Sequence, residues 1–421
     1  MPPDADVDAG DLPGELGALA AALDAADPLA ACRQEFILPA GVAAYLDGNS
    51  LGRPLKATRE RLAGLVDHEW GERLIRAWDE TWLERPLALG DQLGRAVLGA
   101  AAGQVMVGDS TTVTLYKLTR AALGARPGRP EIIADTENFP TDRYIIDAVA
   151  REAGRSVRWI EPDPATGVRL AEVEALLSGR TALVLLSHVA YKSAYIADLP
   201  AITAAAHRAG ALVLWDLCHT AGAVEVALDA SDADLAAGCG YKFLNGGPGA
   251  PAFGYVAARL QDELAQPITG WMGHADPFAM GPGYVPAPGI RRFISGTPPI
   301  LAMAPLQDMA DLIERVTLPA VRAKSVALTE YAIRVADEAL APLGVTVASP
   351  RDPAIRGAHV TLEHPRMKEA VARLWQRDVL PDFRYPRGLR VGLSPLSTSF
   401  TELATALAHL RHVLASPVAA G

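Results

Sequence analysis

The 421-residue sequence is poor in cysteine, in aromatic residues and in positive charge. Its three cysteines, Cys32, Cys218 and Cys239, do not form a disulfide framework, and none pairs with another at metal-ligand spacing. Lys and Arg number 39 against 49 Asp and Glu, and a net charge of −10 argues against nucleic acid as the main partner. We therefore expect no metal, no nucleic-acid partner and a reducing, cytoplasmic location.

The sequence also lacks a long hydrophobic run. Half of its residues are hydrophobic, but every apolar run is interrupted well before the ~20 residues that span a bilayer. The N-terminal stretch Met-Pro-Pro-Asp-Ala-Asp-Val-Asp is acidic and lacks the basic and apolar regions of a secretory signal. We expect no membrane partner, and a chain of this length can bury the cores of two domains.

Short apolar runs alternate with helical patterns through the first 260 residues. This alternation predicts an α/β fold with a mostly parallel central sheet covered by helices on both faces. The candidate strands are residues 131–134, 157–160, 182–186, 211–215 and 252–256, and the candidate helices are 111–123, 141–153, 170–178 and 199–209.

Proline and glycine cluster between residues 277 and 299, which predicts a loop without regular structure. The loop is followed by one long helical stretch from about 300 to 341, and then by the pattern of a smaller α/β domain with a strand at 345–348 and helices at 365–377 and 400–415. We predict an N-terminal arm (1–65) that joins the small domain and the active site, a large domain (66–299) and a small C-terminal domain (300–421).

Lys242 lies between a short apolar run and a glycine-rich turn. A lysine amine can form an imine with a carbonyl, although a solvated lysine at a strand end is the common alternative. Asp216 precedes Lys242 by 26 residues and follows the apolar run 211–215. It stands at the carboxyl end of a candidate strand, where open α/β sheets bind ligands, or it caps the next turn.

A second local signal is the stretch Gly108–Thr114, which places Ser110, Thr111 and Thr112 at the start of a candidate helix. A helix N-terminus with small hydroxyl residues can bind a phosphate dianion through backbone and side-chain donors. Serine and threonine are also favoured as ordinary N-caps. The local sequence leaves both interpretations open.

Five blocks of the sequence resemble the kynureninase family, in family order, over about 350 residues. The resemblance implies the pyridoxal-phosphate (PLP) dependent transferase fold, type I. It also implies hydrolytic cleavage of the Cβ–Cγ bond of L-kynurenine, or of its 3-hydroxy form, to an anthranilate and L-alanine in tryptophan breakdown, by a homodimer with shared active sites. The blocks are Tyr45–Gly52, Asn138–Asp142, Trp215–Gly222, Gly238–Phe253, and Arg390-Val391 with Pro395-Leu396.

The position-by-position match implies a role for each candidate residue. Lys242 would bind PLP as an imine and move the Cα proton, Tyr241 would reach the phosphate and later protonate the product, and Asp216 would meet the pyridine nitrogen. Arg390 would clamp the α-carboxylate. The other implied cofactor contacts are Thr111, Thr112, Phe139, Asp142, Ser187 and His219, with Trp271 and Thr297 from the partner subunit. The other implied substrate contacts are Asn49, Ser50 and His68, and Asn49 and His68 would lie toward the aromatic ring.

Two departures from the family pattern and three alternatives remain open. Cys218 replaces a common alanine and is interpreted as packing, and Gly296–Pro298 differs from the serine-asparagine of animal members, which leaves the ring preference open. The alternatives are an aminotransferase, a cysteine desulfurase-like lyase, although no cysteine follows Cys239, and a catalytically silent PLP-binding regulator. We interpret six other histidines as surface or structural: His188, His207, His359, His364, His409 and His412.

Overall fold

The computed structural model of the chain describes residues 7–416. Its N-terminal part consists of short elements. Within the described range, no helix is both long enough and apolar enough to cross a membrane. The N-terminal elements are α1 (Leu16–Ala26), β1 (Ala44–Tyr45), α2 (Ala57–Gly64) and α3 (Arg85–Leu93).

A seven-stranded sheet lies at the centre of the molecule, in the strand order β2-β8-β7-β6-β5-β3-β4. Strand β8 is antiparallel to both of its neighbours, and the other pairs are parallel. The elements, in chain order, are β2 (Val105–Gly108), α4 (Thr111–Ala125), β3 (Glu131–Asp135), α5 (Pro140–Glu152), β4 (Ser156–Ile160), α6 (Leu170–Glu174), β5 (Thr181–Ser187), α7 (Leu199–Ala209), β6 (Leu212–Asp216), β7 (Leu235–Cys239) and β8 (Ala252–Val256).

The central strands are apolar along most of their length because helices cover both faces of the sheet. Every residue of β6 is buried, as parallel strands between two helical layers require. Helix α7 begins where the Asp198 carboxylate accepts the backbone N–H of Ala201 and ends at Gly210, whose φ of 75° suits glycine. The predicted mostly parallel α/β sheet is confirmed, although β2 and β7 were not among the predicted strands.

The C-terminal part contains a four-stranded antiparallel sheet in the order β12-β13-β10-β9. The prediction of one long helix over 300–341 is wrong. The helix is interrupted at Thr317, where φ is 71°, and Pro319 has no N–H to continue the first helix. The elements are α8 (Ile300–Val316), α9 (Leu318–Val335), β9 (Thr346–Val347), β10 (His359–Glu363), α10 (Met367–Trp375), β11 (Val379–Leu380), β12 (Asp382–Arg384), β13 (Gly388–Gly392) and α11 (Phe400–Ala415).

The loop at 277–299 also differs from the prediction, because Gly289–Phe293 forms a short 3₁₀ helix.

Two large hydrophobic clusters underlie the two sheets. The first packs around the seven-stranded sheet. The second packs around β10, β13 and α11 and includes Leu16 and Leu46 from the N-terminal part. The chain passes from the first cluster to the second within α9, between Val321 and Leu328. The division into an arm and two domains stays a prediction, and these two clusters support it.

A buried ion pair ties the N-terminal part to α11. Arg53 and Glu402 expose only 8% and 5% of their side chains, and Arg53 Nη2 donates to Glu402 Oε1 at 2.5 Å. Glu402 also accepts the backbone N–H of Tyr45 at 2.9 Å. Because buried charges are costly without partners, this pair holds the arm against α11.

We expect Glu402→Gln to lower the free energy of unfolding by about 3 kcal/mol, because it leaves the Arg53 guanidinium buried without a carboxylate. Urea denaturation followed by circular dichroism measures the change. The matched control is Glu369→Gln in α10, where a partly exposed pair with Arg366 should contribute less than about 1 kcal/mol. Equal losses in the two variants would contradict the anchoring role.

Candidate active site

The carboxyl ends of the parallel strands meet at one edge of the central sheet, as open α/β sheets place their ligands. Strand β6 ends at Asp216, β5 at Ser187 and β7 at Cys239. Strand β2 ends at Gly108, which pairs with Ala252, the residue across from Cys239. The sheet therefore brings the predicted lysine turn, the aspartate and the phosphate helix to one edge.

The Lys242 side chain is buried at this edge. It is 8% exposed, and its Nζ lies 3.0 Å from Nε2 of His219 and 5.5 Å from the ring centroid of Phe139. Burial, followed by the positive charge of Lys242, lowers the pKa of His219 well below its usual value. The amine therefore faces a neutral imidazole rather than a carboxylate.

Asp216 is held by a polar network at the end of β6. Its Oδ1 accepts the backbone N–H of Cys218 at 2.7 Å. The Ser187 hydroxyl lies 3.2 Å from Asp216 Oδ2 and 2.7 Å from Asn138 Oδ1. Asn138 was not predicted as a site residue, although it is the first residue of the block Asn138–Asp142 that resembles the family. These contacts fix the carboxylate in one orientation.

Two further carboxyl groups lie near Asp216. Burial, followed by the charge of Asp216, raises the pKa of Asp142 well above its usual value. Burial also raises the pKa of Asp135 to about 7. Burial therefore favours the protonated form of Asp142, which limits the negative charge gathered around Asp216.

Tyr241 precedes the lysine and is partly buried. Burial raises the pKa of its phenol above the usual value, so the hydroxyl is a proton donor at neutral pH. Its backbone carbonyl accepts the N–H of Gly52 at 2.8 Å, which joins the N-terminal arm to the lysine turn. A side chain at Gly52 would collide with the carbonyl of Lys242 and with Asn245.

The start of α4 has free donors. Ser110 is its N-cap and accepts the N–H of Val113 at 3.4 Å, whereas the amides of Thr111 and Thr112 belong to the first turn, which has no intrahelical partners. Thr112 is exposed and Thr111 partly buried. The turn therefore offers the donors that an anion needs.

Arg390 lies in β13 and is 1% exposed. Its Nε donates to Asp382 at 2.7 Å, its Nη2 to the hydroxyl of Ser50 at 2.9 Å, and its Nη1 to the carbonyl of Tyr191 at 2.9 Å. Asp382 thus occupies one edge of the guanidinium. The other edge, between Nη1 and Nη2, faces Tyr191 and Ser50.

Asn49 lies beside this arginine. It is fully buried, and neither its amide nitrogen nor its oxygen has a hydrogen-bond partner among the described residues. Its oxygen is so close to Gly392 that a Cβ there would collide with it. Asn49 therefore packs against β13, two residues along the strand from Arg390, and its role toward the substrate ring stays a prediction.

Three predicted residues lie apart from the lysine turn. His68 is 71% exposed and contacts Glu72 at 3.1 Å; it lines a cavity of about 370 Å³ beside Arg85 and Met303. The ring of Trp271 packs at 5.8 Å from that of Trp78, and Thr297 is exposed.

The structure also brings residues to the site that sequence reasoning did not select. Tyr191, Asp382 and His359 have no local motif, and each reaches the site through a tertiary contact. The one available signal was the strand-like run that contains Arg390, whose partner strands supply Asp382 and His359.

The site fits PLP. A buried amine, an oriented carboxylate and a free helix N-terminus are what the aldehyde, the pyridine nitrogen and the phosphate require. Several buried polar atoms also lack partners among residues 7–416, which is the condition of atoms that a ligand would satisfy. These atoms are His219 Nδ1, Asp142 Oδ2, Asn138 Nδ2 and both amide atoms of Asn49.

Fold and site together define a PLP-dependent enzyme with the class-V aminotransferase fold. The class-V aminotransferase family model matches residues 95–365, and the model of the kynureninase C-terminal domain matches residues 321–410. The kynureninase of Pseudomonas fluorescens is 41% identical over 400 residues, 93% of this chain and 94% of the relative. The kynureninase of Burkholderia pseudomallei strain K96243 is 42% identical over 402 residues, 94% of each chain. The chain belongs to the kynureninase family.

Solved structures agree on the fold. A cysteine desulfurase from Thermococcus onnurineus NA1 superposes with a TM-score of 0.78 at 21% identity, over 91% of this chain and 97% of that chain. The cysteine desulfurase CsdA from Escherichia coli gives a TM-score of 0.77 at 18% identity, over 92% and 98%. The family membership gives the activity: the chain is a PLP-dependent hydrolase acting on a carbon–carbon bond, with kynureninase function.

We expect Lys242→Ala to lose the absorbance of the lysine-bound cofactor and nearly all turnover, because no other described lysine contacts the Asp216 network. Absorbance spectra of the purified protein with added PLP measure the first effect, and anthranilate release measures the second. Lys117 is the control: it is also buried, but an ion pair with Asp109 holds it, so Lys117→Ala should keep the band. Substantial cleavage by Lys242→Ala would contradict the assignment.

Proposed function

We propose that this chain cleaves L-kynurenine to anthranilate and L-alanine with the residues gathered around Lys242. The 3.0 Å contact between the buried Lys242 amine and a neutral His219 carries this proposal. When bound, PLP supplies an electron-poor ring that accepts the charge developed at the substrate carbon. The chain's own residues orient the substrate and move its protons.

Lys242 holds and moves the Cα proton, because it is the amine at the centre of the site. Asp216 would pair with the pyridine nitrogen and keep it protonated, in the orientation fixed by Cys218 and Ser187. Phe139, Asp142 and Ser187 would hold the ring, and the amides of Thr111 and Thr112 would bind the phosphate. Tyr241 keeps its phenolic proton, as its raised pKa requires, and gives it to Cβ of the alanine product once water has cleaved the Cβ–Cγ bond.

The substrate carboxylate binds between Arg390, Ser50 and Asn49. Arg390 presents its Nη1–Nη2 edge, and Ser50 already lies 2.9 Å from Nη2. The Asn49 amide, which has no partner in the described chain, supplies a further donor. A guanidinium fork fixes a carboxylate in one plane, so these three residues set the direction in which Cα presents its proton.

We expect Arg390→Ala and Asn49→Ala to lower kcat/KM for kynurenine and 3-hydroxykynurenine by similar factors, whereas His68→Ala should change the ratio between the two substrates. Loss of one partner of a buried charge pair costs about 2–5 kcal/mol, so KM should rise at least tenfold in Arg390→Ala. Steady-state kinetics with both substrates measure these effects.

The control is Arg387→Ala, a more exposed arginine of the same hairpin that pairs with Glu363; it should leave both substrates unaffected. An altered ratio in Asn49→Ala would return this residue to the ring end of the site.

We propose further that the enzyme is a cytoplasmic homodimer in which Trp271 and Thr297 complete the partner's phosphate site, with His68 toward the partner's substrate ring. The exposed ring of Phe278 lies 6.0 Å from that of Trp271, and further apolar side chains in residues 70–75 and 280–285 are exposed. Exposed apolar surface of this kind favours a protein partner. A second copy is the partner that would bring all three residues to a Lys242 site. The exposed residues are Trp70, Leu74, Ile75, Phe278, Met280 and Val285.

Mixing two inactive variants tests the shared site. Lys242→Ala reassembled with the double variant Trp271→Ala, Thr297→Ala should recover part of the activity, because each hybrid dimer contains one intact site. Lys242→Ala mixed with Asp216→Asn is the control and should recover none, since both residues serve the same subunit's site. Hybrid dimers are confirmed by light scattering and mass spectrometry. If they form and activity recovers only in the control, or in neither mixture, Trp271 and Thr297 belong to their own subunit's site.

A further inference from the structure

His359 is a second histidine in the active site. It opens β10 and is fully buried. Its ring centroid lies 5.5 Å from that of His219, with the two planes inclined by 55°. His219 belongs to the edge of the central sheet, and β10 packs in the second hydrophobic cluster through Val360 and Leu362. The contact therefore joins the two halves of the molecule beside Lys242.

The proton of His219 can be located from its neighbours. Burial keeps the ring neutral, so it has one N–H and one lone pair. Nε2 lies 3.0 Å from the Lys242 amine, and an ammonium group only donates. Nε2 must therefore accept, and the proton resides on Nδ1. This Nδ1–H donor is buried and has no partner in the described part of the chain.

His359 carries its proton on the other ring nitrogen, Nε2. Burial, followed by the charge of Arg390, lowers its pKa to about 3, so this ring is neutral as well. Its Nε2 lies 3.3 Å from the carbonyl oxygen of Lys192, which can only accept. The proton is therefore on Nε2, and Nδ1 is a buried lone pair without a partner between residues 7 and 416. One ring has an unused donor, and the ring next to it has an unused acceptor.

We propose that His359 is a positioning residue for the catalytic amine: one bridging water molecule accepts the Nδ1–H of His219 and donates to Nδ1 of His359, which holds His219 in the tautomer whose Nε2 accepts from Lys242. Without that acceptor His219 is free to place its proton on Nε2, which then opposes a protonated nitrogen at Lys242. The inference rests on Lys242 as the cofactor-binding lysine.

The charged and titratable groups around this pair come from several elements. Lys242, Arg390 and Arg384 each lower the pKa of His219. None of them is altered in the test below, so a changed titration reports on the histidine pair. The remaining groups at the site are Asp47, Asp135, Asp142, Asp216, Asp382, Cys218, Cys239 and Tyr241.

The test is a pH titration of the cofactor absorbance in the PLP-loaded enzyme without substrate, for three variants of one position. His359→Leu removes both nitrogens. In His359→Asn the side-chain oxygen takes the place of Nδ1 and keeps the acceptor. In His359→Gln the amide takes the place of Nε2 and keeps the donor to the Lys192 carbonyl. The comparison separates the acceptor from the merely structural contact.

We expect the apparent pKa of the absorbance change to fall by about one unit in His359→Leu and His359→Gln and to stay at the wild-type value in His359→Asn. His409→Leu is the control, because His409 is another buried histidine whose Nδ1 lacks a partner in the described range; it should titrate like the wild type.

Rescue by Gln instead of Asn, or a wild-type titration in folded His359→Leu, overturns the proposal. If His359→Leu does not fold, the difference between Asn and Gln decides. A cofactor band that persists in Lys242→Ala refutes the assignment of Lys242 instead, so the two failures are distinguishable.

Discussion

Burial of one lysine amine against a neutral imidazole is the constraint on which the rest of the site depends. A buried ammonium normally requires a carboxylate partner. Here the partner is His219, which burial keeps uncharged. The amine is thus held where it can lose a proton and form a bond to carbon. The carboxylate of Asp216 is held in its own orientation by Cys218 and Ser187.

The same separation of charges governs the substrate side. Arg390 is buried and would be costly without an anion, and Asp382 supplies one from the neighbouring strand. Because Asp382 takes the Nε edge, the Nη edge remains directed toward Ser50. Burial, followed by the charge of the neighbouring Asp216, raises the pKa of Asp142 and so favours its protonated form. The site therefore holds few uncompensated charges before any substrate arrives.

The sequence predicted the elements that depend on local pattern. The apolar runs of β5, β6 and β8 and the capped helix α7 could be read directly, because strand period, N-caps and terminal glycines are local signals. Strand β2 (Val105–Gly108) was missed because its apolar run has only three residues, and β7 (Leu235–Cys239) because alanine and glycine are depleted in strands. The break at Thr317 was missed although Pro319 is a local helix-breaking signal, because the stretches on both sides of it are helical.

Site residues divide in the same way. Lys242, Asp216 and Thr111 lie at or near the ends of predicted strands and helices. Their positions in the sequence therefore indicate that they belong to a ligand-binding site. Asp382 and His359 lie on strands of the second sheet, whose register with β13 the sequence does not encode locally.

The tertiary contacts of Arg390 have an energetic consequence for the proposed carboxylate site. Arg390 receives its contacts from the arm through Ser50, from the β5–α7 loop through Tyr191 and from β12 through Asp382. Three segments that are distant in sequence thus share one guanidinium. Residues that share a partner are not energetically independent, so substitutions in these segments should be non-additive. Specificity for the amino-acid end of the substrate is therefore a property of how the arm and the two sheets pack together, and not of any one motif.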